Sequence, residues 1–584
     1  MRASIARKFL FVAFLLAPRA LYAQSPPEVC PRPPHNAEVP EPEDLRSRDG
    51  VLSVDLTFRN FRDAFGRMRY CYISSSGAIS PNLRVYPGDL LVLRLKNDLN
   101  LADATPKSDA PPHAHGLSSS SEDPCDGGEM TASATNLHFH GLAIPSACHQ
   151  DEVLRTAIQS GAKPFEYKIR IPDDQSPGLY WYHPHLHGFT KDQVLGGASG
   201  ALIVEGIESA DHQVAGLAER VLVIRDEDLL HPNAAPNAAG GAAVPPVILD
   251  RDGDARNTGT GTGKPARDLS LNFVSAPYPD YPTAFVKMKP GEKQFWRVVN
   301  ASSITYLNLQ LLCKGLPQPV GIVAVDGVPI NRNGLGGGDI IYQDHLGVSP
   351  GGRVEFIISG PPLGTPATLV TRSVNTGPGG ENDPVRPIAT IVAAADAPEP
   401  RSTLSASPSP PPPVDLPWIG KVQPIRTRKL YFSEKLQDPK DPNSPTTFYL
   451  TVEGQEPKPF DPASTVPNIL VHQGDVEDWI VENRSTELHD FHIHQIHFLL
   501  LEWFGIPINE PFLRDTINVP FWDGKSPQFP TVHLRMDFRA ANVVGTFPYH
   551  CHLLEHEDGG MMGLIRVEPK SKQQASPLPK PPDP

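Results

Sequence analysis

The 584-residue sequence has little to hold it in a membrane or on a nucleic acid. Its N-terminal apolar run, Phe9 to Ala17, falls well short of the ~20 residues that cross a bilayer as a helix. Positive charge is in deficit: 52 Lys and Arg face 66 Asp and Glu, a formal charge of −14. That is the wrong sign for binding a phosphate backbone or an anionic lipid surface. Cysteine is scarce, six in all, and setting Cys551 aside leaves Cys30, Cys71, Cys125, Cys148 and Cys313, an odd number whose pairing sequence does not fix. No Arg-Arg pair precedes the apolar run, although Arg7-Lys8-Phe9-Leu10 resembles a twin-arginine signal, so the export route stays open. Arg2, Arg7 and Lys8 before the run, and small residues up to Ala23 after it, read as an export signal over residues 1–23. The expectation is a periplasmic or secreted protein in which disulfides are permissible.

Histidine is where the sequence is rich. Random placement of 21 His would give about 0.75 pairs at i,i+2, yet six occur: His113/His115, His138/His140, His183/His185, His185/His187, His492/His494 and His550/His552. On an extended strand such a pair points one way and the residue between points the other. In His550-Cys551-His552 this places two imidazoles on one face and a thiol on the opposite face. A thiolate with His and a weak Met, here Met561, is the donor set of a blue-copper electron-transfer centre, and three or four imidazoles per ion suit further copper ions. His113-Ala-His115 follows Pro111-Pro112 and precedes Ser118 to Ser121, a loop composition, and is read as a decoy. His187 and His497 fall outside the ligand pattern.

In these motifs the sequence resembles the multicopper oxidases of the laccase type. His138-Phe-His140-Gly141, His183-Pro-His185, His489-x-x-His492-x-His494, and His550-Cys551-His552 followed by His556 and Met561 occur in the family's order. The resemblance implies four copper ions. It assigns His489, Cys551, His556 and Met561 to a type 1 copper, and His138 and His492 to a type 2 copper. His140, His183 and His552 would hold one type 3 copper, and His185, His494 and His550 the other. It also implies that Glu557 relays protons and that Asp151 is the carboxylate beside the type 2 ion. The spacing of the loop Ser146-Ala-Cys-His-Gln leaves Glu152 as the alternative.

Composition and repetition set the architecture. With 66 Pro and 47 Gly, short strands and turns are favoured over long helices. One pattern recurs three times: Val85-Tyr-Pro-Gly88 through Asn97, Met288-Lys-Pro-Gly291 through Asn300, and Val471-His-Gln-Gly474 through Asn483, with nine residues from Gly to Asn in each. The expected fold is all-β, and the resemblance names the units as three cupredoxin-like Greek-key sandwiches or barrels. Gly178-Leu-Tyr-Trp-Tyr-His183-Pro-His185 echoes Gly545-Thr-Phe-Pro-Tyr-His550-Cys-His552, with Pro184 where Cys551 stands, so the first unit is expected to lack a type 1 centre. Domains are placed at 40–208, 215–397 and 423–569, the middle one a copper-free spacer. A Pro-rich linker covers 398–422, with Pro410 to Pro413 stiff and extended. Residues 570–584 are expected to be a disordered tail. Insertions at 100–134 and 231–266 have no pattern that assigns them a role.

The expected reaction is one-electron oxidation of a small reductant, repeated four times, with O2 reduced to two waters at the three-copper cluster. Phenols and related aromatics are the leading substrate class. Cu(I) or Fe(II) is the alternative, disfavoured for Cu(I) because only seven Met are present and they are scattered. A non-catalytic structural relative is a third reading, opposed by the intact ligand set. O2 and the reductant are the expected partners, and the resemblance implies a monomer.

Overall fold

The thrice-repeated Gly-to-Asn pattern is a structural unit. The computed structural model describes residues 29–100, 124–126, 128–233, 261, 263–330, 340–406, 416–438, 440 and 444–570. In each copy a left-handed glycine (Gly88, φ +84°; Gly291, +70°; Gly474, +101°) turns the chain into a strand: Leu90–Asn97, Lys293–Asn300 and Val476–Asn483. Each strand has a parallel neighbour on one side and an antiparallel neighbour on the other. The closing Asn is fully buried every time. Its amide donates to two backbone carbonyls, and its oxygen accepts the N–H two residues on. A buried amide without partners would cost about 1–3 kcal/mol, so an Asn bonded at both ends is a stable way to close the strand.

Each repeat lies within a pair of sheets, six in all among the described residues. In the first pair, Leu52, Val54 and Leu93 of a four-stranded sheet meet Leu83, Phe139 and Tyr182 of a five-stranded sheet in one core. In the middle pair, a nine-stranded and a six-stranded sheet enclose Trp296, Phe356, Leu309 and Ile391. In the third, a six-stranded and a five-stranded sheet enclose Trp479, Leu534, Phe491 and Phe547. Two sheets closing over one apolar layer make a β-sandwich, so the all-β, three-unit cupredoxin-like architecture expected from the sequence is what forms. The described α-helices are three short ones, Thr190–Leu195, Ile207–Ala210 and Leu554–Asp558. No helix among the described residues is long and apolar enough to cross a membrane.

Two sets of contacts fix how the units meet. Between the first and second, Arg84 pairs with Glu219 at 2.6 Å, Arg297 pairs with Glu219 and Glu355, and Glu355 accepts the Leu179 N–H, all out of solvent. Between the first and third, the Asp558 carboxylate accepts the N–H groups of Gly188, Thr190 and Lys191 at the start of helix Thr190–Leu195, where a negative charge is favoured by the helix dipole. Lys191 also pairs with Glu555 at 2.6 Å.

Cys30 is bridged to Cys71 and Cys125 to Cys148, while Cys313 and Cys551 are free thiols. The export signal at 1–23, the His113/His115 pair, the larger parts of both insertions, Pro410 to Pro413 and residues 571–584 of the tail lie outside the described residues.

Candidate metal centre

Strand pairing builds the site. In the first unit, strands His138–His140 and Gly178–His183 run antiparallel with His138 opposite His183. In the third, His489–Ile493 and Gly545–Cys551 run antiparallel with His492 opposite His550 and Phe491 opposite Cys551. The two sheets then face each other through their histidines: His138 stacks on His494 with ring centres 3.8 Å apart, and His140 on His492 at 3.9 Å. His183, His185, His550 and His552 complete a cluster of eight rings, each no more than 2% exposed. His550 and His552 lie on one side, 5.6 Å apart.

Cys551 faces the other way. Its Sγ lies 3.6 Å from His489 Nδ1 and 3.8 Å from His556 Nδ1, and those nitrogens are 3.2 Å apart. A triangle with these sides has a point about 2.1 Å from all three atoms, the length of a metal–nitrogen bond. The Asp490 N–H donates to the sulfur at 3.5 Å. Met561 is buried in the same core, its N–H donating to the His556 carbonyl and its own carbonyl accepting the Cys551 N–H. Met562 follows on the strand opposite His550 and packs in the interior.

These donor sets suit cations. In four of the eight rings, His138, His140, His183 and His492, one nitrogen is tied to an acceptor and the other, buried, has none. His138 Nδ1 meets Asp151 at 3.0 Å, His183 Nδ1 donates to the Pro184 carbonyl at 2.8 Å, and His492 Nδ1 donates to the Asp515 carbonyl at 2.8 Å. Their Nε2 atoms, with Nδ1 of His140 and both nitrogens of His552, lack a hydrogen-bond partner. His185 Nε2 and His494 Nε2 each approach His550 Nε2 to 3.3 Å. Unbonded buried nitrogens cost about 1–3 kcal/mol each, and an acceptor on the outer nitrogen with a bare inner one is how metal-binding imidazoles are oriented. Burial first, and then neighbouring His, hold His140, His183, His185, His492, His494 and His552 far below the ordinary imidazole range. Burial takes His550 and His556 down to about 3. All of these rings are in the neutral form that binds metals.

The carboxylates read from sequence are now separable. Asp151 is 1% exposed, holds His138 Nδ1 with both oxygens and accepts the Phe139 N–H. Glu152 instead caps its own turn, accepting from the Arg155 and Thr156 N–H groups. The bridge from Cys125 to Cys148 pins the loop that leads into Asp151. Closing a loop of this size is worth about 3 kcal/mol, so Cys148→Ser should lower the thermal unfolding midpoint by several degrees, read by calorimetry against the unreduced protein. Glu557 is fully buried, with Oε1 3.6 Å from His185 Nδ1 and Oε2 3.4 Å from His550 Nδ1. The Thr190 hydroxyl donates to it at 3.1 Å. Burial, then Asp558, pushes its carboxyl well above the usual range.

Two features were not read from the sequence. Asp515 is buried against His140 and His497, paired with Arg353. A cavity of 160 Å³ opens beside His556, which is itself 6% exposed, and is walled by Glu381, Glu434, Glu487 and Glu555. Glu434 Oε1 lies 2.9 Å from His489 Nε2, and Glu487 Oε1 lies 3.5 Å from His556 Nε2. Phe448 stacks on His556 with ring centres 4.2 Å apart. Neither feature has a spacing signature, since each is assembled from separate segments.

Family models described as multicopper oxidase match residues 128–209 and 438–571. The chain is 24% identical over 443 residues to the multicopper oxidase mco of Staphylococcus haemolyticus, covering 74% of this chain and 76% of that one. It is 21% identical over 451 residues to a laccase of Bacillus subtilis, covering 73% and 78%. With the iron transport multicopper oxidase FET3 of Candida albicans it shares 23% identity over 481 residues, covering 75% and 69%. Among solved structures, a variant of the McoA multicopper oxidase of Aquifex aeolicus superposes with a TM-score of 0.61 at 17% identity, covering 91% of this chain and 99% of that one. The Campylobacter jejuni multicopper oxidase, titled a metallo-oxidase, gives a TM-score of 0.58 at 22% identity, covering 92% and 99%.

Proposed function

Because this chain belongs to the multicopper oxidase family, we propose that it takes electrons singly from a small cationic reductant beside His556 and delivers them to O2 at the eight-histidine cluster. His489, Cys551, His556 and Met561 would hold one copper ion, and the eight clustered imidazoles three more. Bound there, copper supplies the one-electron acceptor at the first site and the four-electron reduction of O2 to water at the second. The chain does the rest. Cys551 and its flanking His550 and His552 give a covalent path between the sites. Asp151 orients His138, and Glu557 holds a proton between His185 and His550.

The reading of the reductant is carried by the glutamates around the cavity at His556, of which Glu434 is held below the usual carboxylate range by His489 against its burial, while burial and its carboxylate neighbours push Glu487 well above that range. A cavity so lined attracts cations and repels anions. Carboxylate oxygens suit hard ions, which favours Fe(II) over Cu(I) and accords with the scarcity of methionine. Phenol oxidation, the leading reading from sequence, retains one observation in its favour, the Phe448 ring lying flat on His556.

The two readings separate in steady-state rates. Glu381→Gln and Glu434→Gln should each lower kcat/KM for Fe(II) by about tenfold, within the range that Coulomb's law gives for one charge at ~4 Å. The same variants should leave oxidation of a neutral dimethoxyphenol within about twofold. Unchanged Fe(II) kinetics in both variants, with phenol turnover intact, would return the assignment to phenols. Export to an oxidising compartment belongs to the same proposal, supported by the two disulfides. Protein recovered from cells with its signal uncleaved in the cytoplasm would refute it.

A further inference from the structure

The middle β unit carries none of the twelve candidate ligands, yet it reaches the eight-histidine cluster through one side chain. Arg353, at the start of strand Arg353–Ser359, is wholly buried. Its guanidinium donates to both oxygens of Asp515, each at 2.6 Å. The remaining N–H groups donate to the carbonyls of Leu179 in the first unit and of Gly351 and Asp326 in the second. One planar group is thus bonded to all three units, which a lysine, with a single ammonium, could not reproduce.

Asp515 is held so that it serves two of the histidines. Its Oδ1 lies 3.4 Å from His140 Nε2, and its backbone carbonyl accepts from His492 Nδ1 at 2.8 Å. The inner nitrogens of these rings, His140 Nδ1 and His492 Nε2, are the ones without a partner. Asp515 therefore selects which nitrogen of each ring points into the cluster. The Thr516 hydroxyl donates to Oδ1 at 2.9 Å and fixes the carboxylate from the other side.

Two glycines record how closely these groups fit. A Cβ at Gly141, the residue after His140, would lie 2.5 Å from Arg353 Nη2 and 2.6 Å from Asp515 Oδ2. A Cβ at Gly351 would lie 2.9 Å from the His552 ring. The backbone of the His-x-His-Gly motif and the loop before Arg353 are pressed together at the cluster, with no room for a methyl group at either point.

We propose that Arg353 is a positioning residue for oxygen reduction: it fixes the Asp515 carboxylate in the orientation that sets the tautomer of His140, beside the Asp515 backbone carbonyl that sets that of His492. The middle unit is then a working part of the O2 site. This rests on the reading that His140 and His492 hold copper.

The test uses the copper-loaded full chain with Arg353→Lys, which keeps the charge and loses the fork, and Asp515→Asn, which keeps the shape and removes one acceptor. Expected for both are an altered type 2 electron paramagnetic resonance signal, a weakened absorption of the paired coppers and reduced copper per chain. The intense thiolate band of the Cys551 site should be unchanged. With them kcat should fall roughly 10- to 100-fold, the usual effect of losing a partner of a metal ligand, at unchanged KM for the reductant. Should both variants keep copper content, both signals and kcat within about twofold, Arg353 is a fastener between units and the proposal is overturned, even if the melting temperature drops. If Arg353→Lys does not fold, the Asp515→Asn signals decide alone. Wild-type protein without type 2 and paired-copper signals would overturn the underlying copper reading and the proposal with it.

Discussion

Cys551→Ser, loaded with copper, should be colourless and inactive toward every reductant while retaining most of its metal. The sulfur lies within 3.8 Å of both His489 Nδ1 and His556 Nδ1, and it is the soft donor of the three. Burial, with the Asp490 and Glu487 carboxylates adding to it, holds the free thiol far above its usual range, so only a cation between these atoms makes the thiolate accessible. Serine has the same shape but its oxygen does not give up a proton to a soft ion in this way, and its weaker orbital overlap removes the intense blue band. The eight imidazoles lie on the opposite face of the strand and are untouched, so copper should still bind there. Absorption, metal analysis and O2 uptake read all three consequences. A blue, active Cys551→Ser protein would show that electrons enter elsewhere.

Glu557→Gln should keep its colour and its copper and lose about 10² in turnover, the usual contribution of a placed acid or base. Reducing O2 to water consumes protons, and Glu557 is the carboxyl group that touches both His185 and His550. Gln preserves the hydrogen bond from Thr190 but holds no exchangeable acid proton. Reduction of the Cys551 site by substrate under argon should proceed at the wild-type rate, since that half-reaction moves no proton through this position. Turnover within about threefold of wild type would remove Glu557 from the proton path.

The fold and the donors were legible in sequence for the same reason: both are written in local periodicity. The nine-residue spacing from Gly88 to Asn97 recurs because one turn and one buried amide begin and end the same strand in every unit. Histidines at i,i+2 stand out because a strand presents alternate residues to one face. What was not legible is held together by tertiary contact alone. Arg353 and Asp515 are 162 residues apart, and neither type is unusual in its neighbourhood. Glu381, Glu434, Glu487 and Glu555 converge on one cavity from four distant segments, so their grouping appears only in three dimensions. Asp151 meets His138 while Glu152 caps its own turn, in a loop pinned by a disulfide, and adjacent carboxylates carry no sequence mark for which of them faces inward. The copper-free middle unit read as a spacer because ligands are what a motif search finds, whereas its contribution is a hydrogen-bond donor.

The pairing of His138 with His494 and of His140 with His492 has a consequence for biosynthesis. Half of the imidazoles precede residue 186 and the other half follow residue 491. A nascent polypeptide on the ribosome therefore exposes no complete oxygen-reactive centre until almost its whole length has been translated, and a chain broken anywhere between the two halves leaves two fragments that each lack one.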